Sequence, residues 1–292
     1  MTRRTMVPSI VLAIVAFVAA ACSSAPAASP VSDPAEILTQ SVASLKDVKT
    51  VQIHGDIAGK LSIAEMGGSI DLAGTTVDIA VDIPNKAVHL NLAAPSFMGT
   101  TVDAIVVDSK AYLKLAGPLA GLLGAGAGDK YLVTDVTPTA DGASPAPSMD
   151  TAAAIDELRA QMAKLPAPTK LADEKCGDVD CYHVQFKADG SALSGLGTSM
   201  LPGAASSAAP DASAAPGASA GTGDVTVDVW TRKTDLRPAK VSLTATTPDS
   251  GDLTATFTFT YDQGVTISAP PADQTAPMPS FDLPALPALP AS

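Results

Sequence analysis

The sequence predicts an α+β fold in which one large antiparallel sheet packs against two or three helices. Three observations lead there. Long stretches alternate apolar with polar residues at the period of two that a half-buried strand requires. Two segments, opening near residues 33 and 150, repeat instead at helical spacing. No strand–helix–strand alternation runs along the chain, so nothing calls for a parallel sheet.

The first helix is predicted from Asp33 to Val48. Asp33 is a good N-cap, Pro34 stands at the first helical position and Glu36 at N3 completes a capping-box pattern. Ile37, Leu38, Val42, Leu45 and Val48 then form one stripe, which must cover something. Strands follow: Val51, Ile53, Ile57, Leu61 and Ile63 alternate with polar residues, then Ile70 and Leu72, and after Gly74 come Val77, Ile79, Val81 and Ile83. Pro84-Asn85-Lys86 reads as a turn into Val88, Leu90 and Leu92. Val102–Val107 and Tyr112–Leu115 form a hairpin around Asp108-Ser109-Lys110, and Tyr131–Val133 is one more short strand. A second helix is predicted from Met149 or Asp150 to Lys164, with Ile155, Leu158, Met162 and Leu165 on one face and Pro166 as its stop. The strand pattern returns at Cys181–Phe186, Val225–Trp230, Ala239–Thr246 and Leu253–Tyr261. In the last, Leu253, Ala255, Phe257, Phe259 and Tyr261 share one face and Thr254, Thr256, Thr258 and Thr260 the other. About ten strands are expected.

The N-terminus carries an export signal. Arg3 and Arg4 precede an almost uncharged run from Met6 to Ala21, too short to span a bilayer and ending in Ala19-Ala20-Ala21. Cys22 stands at the cleavage point, which resembles the bacterial lipobox, with Ala19 where Leu is usual. Cleavage after Ala21 and acylation of Cys22 are expected, by the Sec or the twin-arginine route. Two or more acyl chains then hold the protein at a membrane, at about 0.8 kcal/mol per buried methylene.

Removing the leader takes the formal charge from −12 to −14, which makes nucleic acid and anionic lipid surfaces poor electrostatic partners. Ala, Pro, Gly and Ser dominate residues 23–32, 137–148, 191–223 and 270–292, where too little apolar area is available to offset ordering entropy. The expected organisation is a signal peptide over 1–21, a tether over 22–32, one domain over 33–269 with a low-complexity insertion at 191–223, and a disordered tail over 270–292. Cys176 and Cys181 form a close even pair, which in an exported chain favours a disulfide over a metal site.

Chemistry is hard to find. His54, His89 and His183 have no ligand-spaced Cys, Asp or Glu in the sequence around them, and neither a nucleophile elbow nor a zinc-protease motif occurs. Gly124–Lys130 lacks the Ser or Thr of a phosphate loop and reads as a loop bordering a cavity mouth. Asp71, Asp78, Asp82 and Asp103 fall on outward strand positions. No catalytic residue, metal or cofactor is assigned, and an enzyme is not expected.

Several short stretches carry a family likeness. They are Cys22 at the lipobox, Asp33-Pro34-Ala35-Glu36-Ile37-Leu38 and Leu45-Lys46-Asp47-Val48-Lys49-Thr50-Val51. Further on come Cys181-Tyr182-His183-Val184, Val227-Asp228-Val229-Trp230, Leu236-Arg237-Pro238-Ala239-Lys240-Val241 and Tyr261-Asp262-Gln263-Gly264-Val265-Thr266-Ile267. Together they resemble the LppX/LprA/LprF/LprG lipoproteins of actinobacteria, which share the half-barrel of the lipoprotein carrier LolA. The resemblance implies a LolA-like half-barrel, a large curved antiparallel sheet wrapped around two or three helices, with an apolar cavity for the acyl chains of a glycolipid or other lipid. Val77, Ile79, Val81, Leu90, Leu92, Val106, Leu113 and Leu115 are the cavity residues expected on that reading. It places the protein at the extracytoplasmic face of the cell membrane, lipid-anchored, with a lipid as ligand and an envelope transporter as a further partner. The alternative is an envelope sensor or protein-interaction module that uses the same half-barrel without lipid cargo.

Overall fold

The computed structural model describes residues 31–63, 68–117, 120, 129–136, 151–162, 166–189, 224–247 and 251–278. The leader with Cys22, the glycine-rich run before Asp129, and the segments 137–148 and 191–223 all lie outside them.

Helix α1 (Pro34–Ala43) starts where the sequence predicts, because the Asp33 carboxylate accepts the Ala35 and Glu36 N–H groups that no helical carbonyl can reach. The return half of the capping box is absent: the Glu36 carboxylate accepts from Gln40 one turn on instead. A 3-10 turn over Ser44–Asp47 completes the expected helical stretch. Helix α2 (Thr151–Met162) packs on α1 and on that turn, with Ile155 buried between them.

Among the described residues fourteen strands form one sheet. In chain order they are β1 (Thr50–Ile63), β2 (Gly68–Asp71), β3 (Thr75–Asp82), β4 (Ala87–Ala94), β5 (Thr100–Val107), β6 (Lys110–Ala116), β7 (Tyr131–Asp135), β8 (Thr169–Lys170), β9 (Glu174–Cys176), β10 (Val179–Asp189), β11 (Asp224–Arg232), β12 (Pro238–Thr247), β13 (Gly251–Tyr261) and β14 (Thr275–Pro277). Their spatial order is β14-β7-β6-β5-β4-β3-β1-β13-β12-β11-β10-β8, with β2 paired to β1 and β9 to β10. The two ends of this path do not meet, so the sheet is open. Neighbouring strands rotate by roughly 20–25°, and twelve in succession cannot stay flat, which is the physical origin of a half-barrel.

Hairpin geometry holds the register. Asp108 and Ser109 both adopt left-handed backbone angles, φ 52° and 58°, giving the two-residue turn that suits the strand twist. Val107 and Lys110 consequently pair, and the whole β5–β6 ladder follows.

Three expectations change. Strands β8, β9 and β14 are too short for a period of two to register, which is why about ten strands were expected. The β14–β7 pair is parallel, whereas the sequence pattern suggested antiparallel pairing alone. The tail boundary at residue 270 moves: Ala272–Gln274 forms a 3-10 turn, and Thr275–Pro277 pairs with Tyr131–Val133.

The returning C-terminal segment has a second consequence. Ile267 packs with Tyr131 and Val133 against a cluster of Ala87, Ile105, Val107 and Tyr112, all on the sheet face opposite the helices. That face is therefore not polar throughout. Asp82, expected to point into solvent, is buried nearby at 7% exposure, where its carboxylate accepts both the backbone and side-chain N–H groups of Asn85 and shapes the turn.

Candidate functional site

Cross-strand register sorts the side chains onto two faces. Val81, Val88, Val106 and Ala111 are partners in one row across β3 to β6; Ile79, Leu90, Ala104 and Leu113 form the next; Val77, Leu92, Val102 and Leu115 the third. On the β1 side the rows continue into Val51 and Tyr261, Ile53 and Phe259, and Gly55 and Phe257. All eight residues expected to line a cavity thus lie together on one face, in three adjacent rows. The sequence expectation left out the aromatic border on β13, because a cross-sheet neighbour about 200 residues away leaves no local signal.

The same face behaves differently at its two ends. Over β10 and β11 it is sealed by α1: the Thr231 hydroxyl donates to the Ser41 hydroxyl at 3.3 Å, and Ile37 and Val184 are wholly buried. Val227 is 4% exposed and Phe186 7%. Over β1 and β3 to β6, the aliphatic side chains of the three rows all stay partly exposed among the described residues. From β13 to β6 there are five inter-strand steps of about 4.8 Å, so the middle row offers an aliphatic track of roughly 24 Å. Beyond the third row, on the side of the β4–β5 turn, Thr75, Ala94 and Thr100 are all buried and bound the exposed face there. An uncharged, unbranched hydrocarbon is the ligand shape that such a track complements.

Two arginines flank the aromatic border. Arg232 and Arg237 stack on the Tyr261 ring at 5.3 and 5.5 Å. Arg232 pairs with Asp235 and Arg237 with Asp262. Burial pushes the Tyr261 hydroxyl well above its ordinary range, outweighing the two guanidinium charges. Asp262 is held below the usual carboxylate range by the Lys49 N–H and by Arg237.

The opposite face is polar over β13, β1, β3 and β4. A shallow depression of about 190 Å³ lies there over Ala80, between Gln52, His54, His89 and Asn91. Gln52, His54, Asp78, His89, Asn91, Thr258 and Thr260 line it together with Ile53, Ile79 and Ala80, and it is small and shallow beside the track on the other face.

All three histidines find acidic partners. His54 Nδ1 donates to Asp78 at 2.6 Å, His89 Nε2 donates to Asp103 at 3.0 Å, and His183 lies between Glu174 at 3.2 Å and Asp228 at 2.8 Å. These partners sit on other strands, where linear spacing could not reveal them; His54 Nε2 in addition lies 3.6 Å from Asp56, two residues along its own strand. Asp78 and Asp103 are accordingly engaged on the polar face rather than simply solvated, and Asp71 caps the Ala73 N–H. The Asp78 hydrogen bond raises the His54 pKa from 6.5. No group of three metal-ligating side chains occurs among the described residues.

The Cys176–Cys181 disulfide expected from the sequence is formed and ties β9 to β10. It holds Glu174 over the other face of the sheet, where its carboxylate accepts the Trp230 Nε1–H at 2.9 Å. His183 stacks on Trp230 at 4.3 Å between ring centroids. The Trp230 bond and His183 together hold the Glu174 carboxyl below its ordinary value.

No family model and no curated protein matches the chain. Among solved structures it is similar to the lipoprotein LppX of Mycobacterium tuberculosis, at 12% identity and a TM-score of 0.45, over 80% of this chain and 98% of that one. It is also similar to LprF from Mycobacterium bovis, at 14% identity and a TM-score of 0.45, over 81% and 96%. A more distant likeness is to the MucA/MucB complex of Pseudomonas aeruginosa, at 11% identity and a TM-score of 0.34, over 83% and 60%. No helix among the described residues is long and apolar enough to cross a membrane.

Proposed function

We propose that the protein is a membrane-anchored lipoprotein that holds an acyl chain of a glycolipid or other lipid against the aliphatic rows of β3 to β6, for carriage or retention in the cell envelope. One observation carries this reading: a single sheet face is sealed by a helix over β10 and β11, yet leaves its Val, Ile and Leu side chains partly exposed over β3 to β6. Monomeric proteins seldom leave a contiguous apolar patch of this extent without a use for it. Each methylene moved from water onto the track is worth about 0.8 kcal/mol, so ten of them contribute roughly 8 kcal/mol before the cost of ordering the chain. The ligand cavity is assigned to Val77, Ile79, Val81, Leu90, Leu92, Val106, Leu113 and Leu115, with Ile53, Phe257 and Phe259 as its border on the β13 side.

The anchoring part of the proposal, at the extracytoplasmic face of the cell membrane, is supported by the leader sequence and by Cys22 at its cleavage point. The reaction assigned is binding alone. The chain is purified with Cys22→Ser, so that no anchor lipid is present, and organic extracts and native mass spectra are recorded. Acyl species bound at about one per chain are expected. A lipid-free protein that also ignores added glycolipid would refute the reading, and selective capture of an envelope protein by that lipid-free chain would favour the interaction module instead.

A further inference from the structure

We propose that the turn Pro95–Gly99, with Met98 at its tip, is a surface that enters the interface of a lipid bilayer. Met98 is 66% exposed and is the one large hydrophobic side chain so exposed among the described residues. Its backbone is left-handed, φ 51°, a conformation uncommon for an unbranched apolar residue and one that turns the chain sharply at the tip. Phe97 beside it is only partly buried.

The position of the turn gives the exposure a meaning. Pro95–Gly99 joins β4 to β5, two of the strands that carry the aliphatic rows, and lies at the strand ends where Thr75, Ala94 and Thr100 bound the exposed face. It is braced by the neighbouring β2–β3 turn: the Ser96 hydroxyl donates to the Ala73 carbonyl at 2.6 Å. The Thr100 hydroxyl and N–H both return to the Phe97 carbonyl. On the other side, Gly117 after β6 lies so close that a Cβ there would come within 3.0 Å of the Thr100 Cα. A braced turn presents Met98 in a fixed orientation, as a contact surface must.

Charge then selects the occupant. The chain carries a formal charge of −12, yet residues 87–102, which include this turn, contain no Asp, Glu, Lys or Arg, and neither do residues 115–117 at the adjoining strand end. The bracing turn brings one charge to this edge, the exposed Asp71 carboxylate, which accepts the Ala73 N–H. An acidic protein meets a bilayer at least cost through its least charged edge, and a thioether with a neighbouring phenyl ring matches the depth of the headgroup–acyl boundary. A protein partner of such an acidic molecule would be expected to present basic residues, for which this edge has no counterpart. The proposal stands on exposure and charge and does not require the acyl-binding reading, although it would give that track a route to the membrane.

The test uses the full chain with Cys22→Ser, so that no anchor contributes, labelled at Met98→Cys with the polarity-sensitive nitrobenzoxadiazole group. Lys86→Cys, in the β3–β4 turn at the opposite end of the same strands, is the control. With phosphatidylcholine vesicles the label at position 98 is expected to shift to the blue, gain about twofold in emission and be quenched by bilayer-borne nitroxides, while the label at position 86 stays unchanged. In the unlabelled protein Met98→Asp is expected to lower vesicle partitioning by about tenfold without changing acyl retention. An unshifted label at position 98, or equal shifts at both positions, would overturn the proposal. Absence of acyl species from the parent chain with the shift at position 98 preserved would count against the lipid-binding reading alone, and loss of acyl retention in Met98→Asp would overturn the assignment of Met98 to the bilayer contact.

Discussion

The Phe257 ring lies over Gly55: a Cβ at Gly55 would come within 2.7 Å of the ring atoms Cδ1 and Cε1. The two residues are register partners on β1 and β13, and the absence of a side chain on one makes room for the ring on the other. This contact fixes the aromatic border of the aliphatic track. Gly55→Val should push the ring outward, costing about 1–3 kcal/mol in stability and narrowing the track. Chemical unfolding and displacement of a fluorescent fatty acid measure the two effects. Unchanged acyl binding would mean that Phe257 does not border the site.

Partial exposure makes the track separable from the core. Leu90→Asp removes an aliphatic contact at a position that keeps part of its surface in water, so it should cost roughly 1–2 kcal/mol in stability while abolishing acyl binding. Val184→Asp places a carboxylate at a wholly buried position under α1 and should cost at least about 3 kcal/mol. Parallel unfolding curves check this: equal destabilisation by both changes would show that the track is ordinary core.

His54 gives a pH signature. Its hydrogen bond with Asp78 raises the imidazole pKa above 6.5. The group therefore binds a proton more tightly when folded, and its stabilisation is complete below about pH 6.5 and fades as pH rises through the raised value. With both side chains half exposed, screening limits the gain to roughly 0.2–1 kcal/mol. Imidazole NMR titration should show the raised value fall back in Asp78→Asn; an unmoved titration would assign the shift elsewhere.

The only tryptophan reports on the disulfide. Trp230 donates to Glu174, which stands two residues before Cys176 on the strand that the bond clasps. Reduction should lower stability by about 2 kcal/mol, from the loop-closure entropy of so short a ring. It should also shift Trp230 emission to the red as Glu174 departs. Emission indifferent to reduction would show that β9 holds without its clasp.

Much of this was legible because it is local. Asp33 caps its helix within three residues, and the alternation of Val77, Ile79 and Val81 assigns them to one face without knowledge of their neighbours. The histidine partners were not legible, since His183 and Asp228 meet only after β10 and β11 pair across 45 residues. Nor was the C-terminal return: three residues of β14 carry no periodicity, and the prolines around them read as a tail. Which part of the apolar face α1 covers was equally hidden. The stripe of Ile37, Leu38 and Val42 requires a partner, but only tertiary packing selects β10 and β11 over β3 to β6.

The central claim is that hydrocarbon lies on the aliphatic rows, and photochemistry tests it most directly. The full chain with Cys22→Ser is loaded with a fatty acid bearing a diazirine midway along its tail, irradiated, and its adducts are mapped by peptide mass spectrometry. Adducts concentrated on Ile79, Leu90, Leu113 and their row neighbours, competed away by unlabelled lipid, are the expected result. Adducts confined to the opposite face around Gln52 and Asn91, or spread without competition, would contradict it.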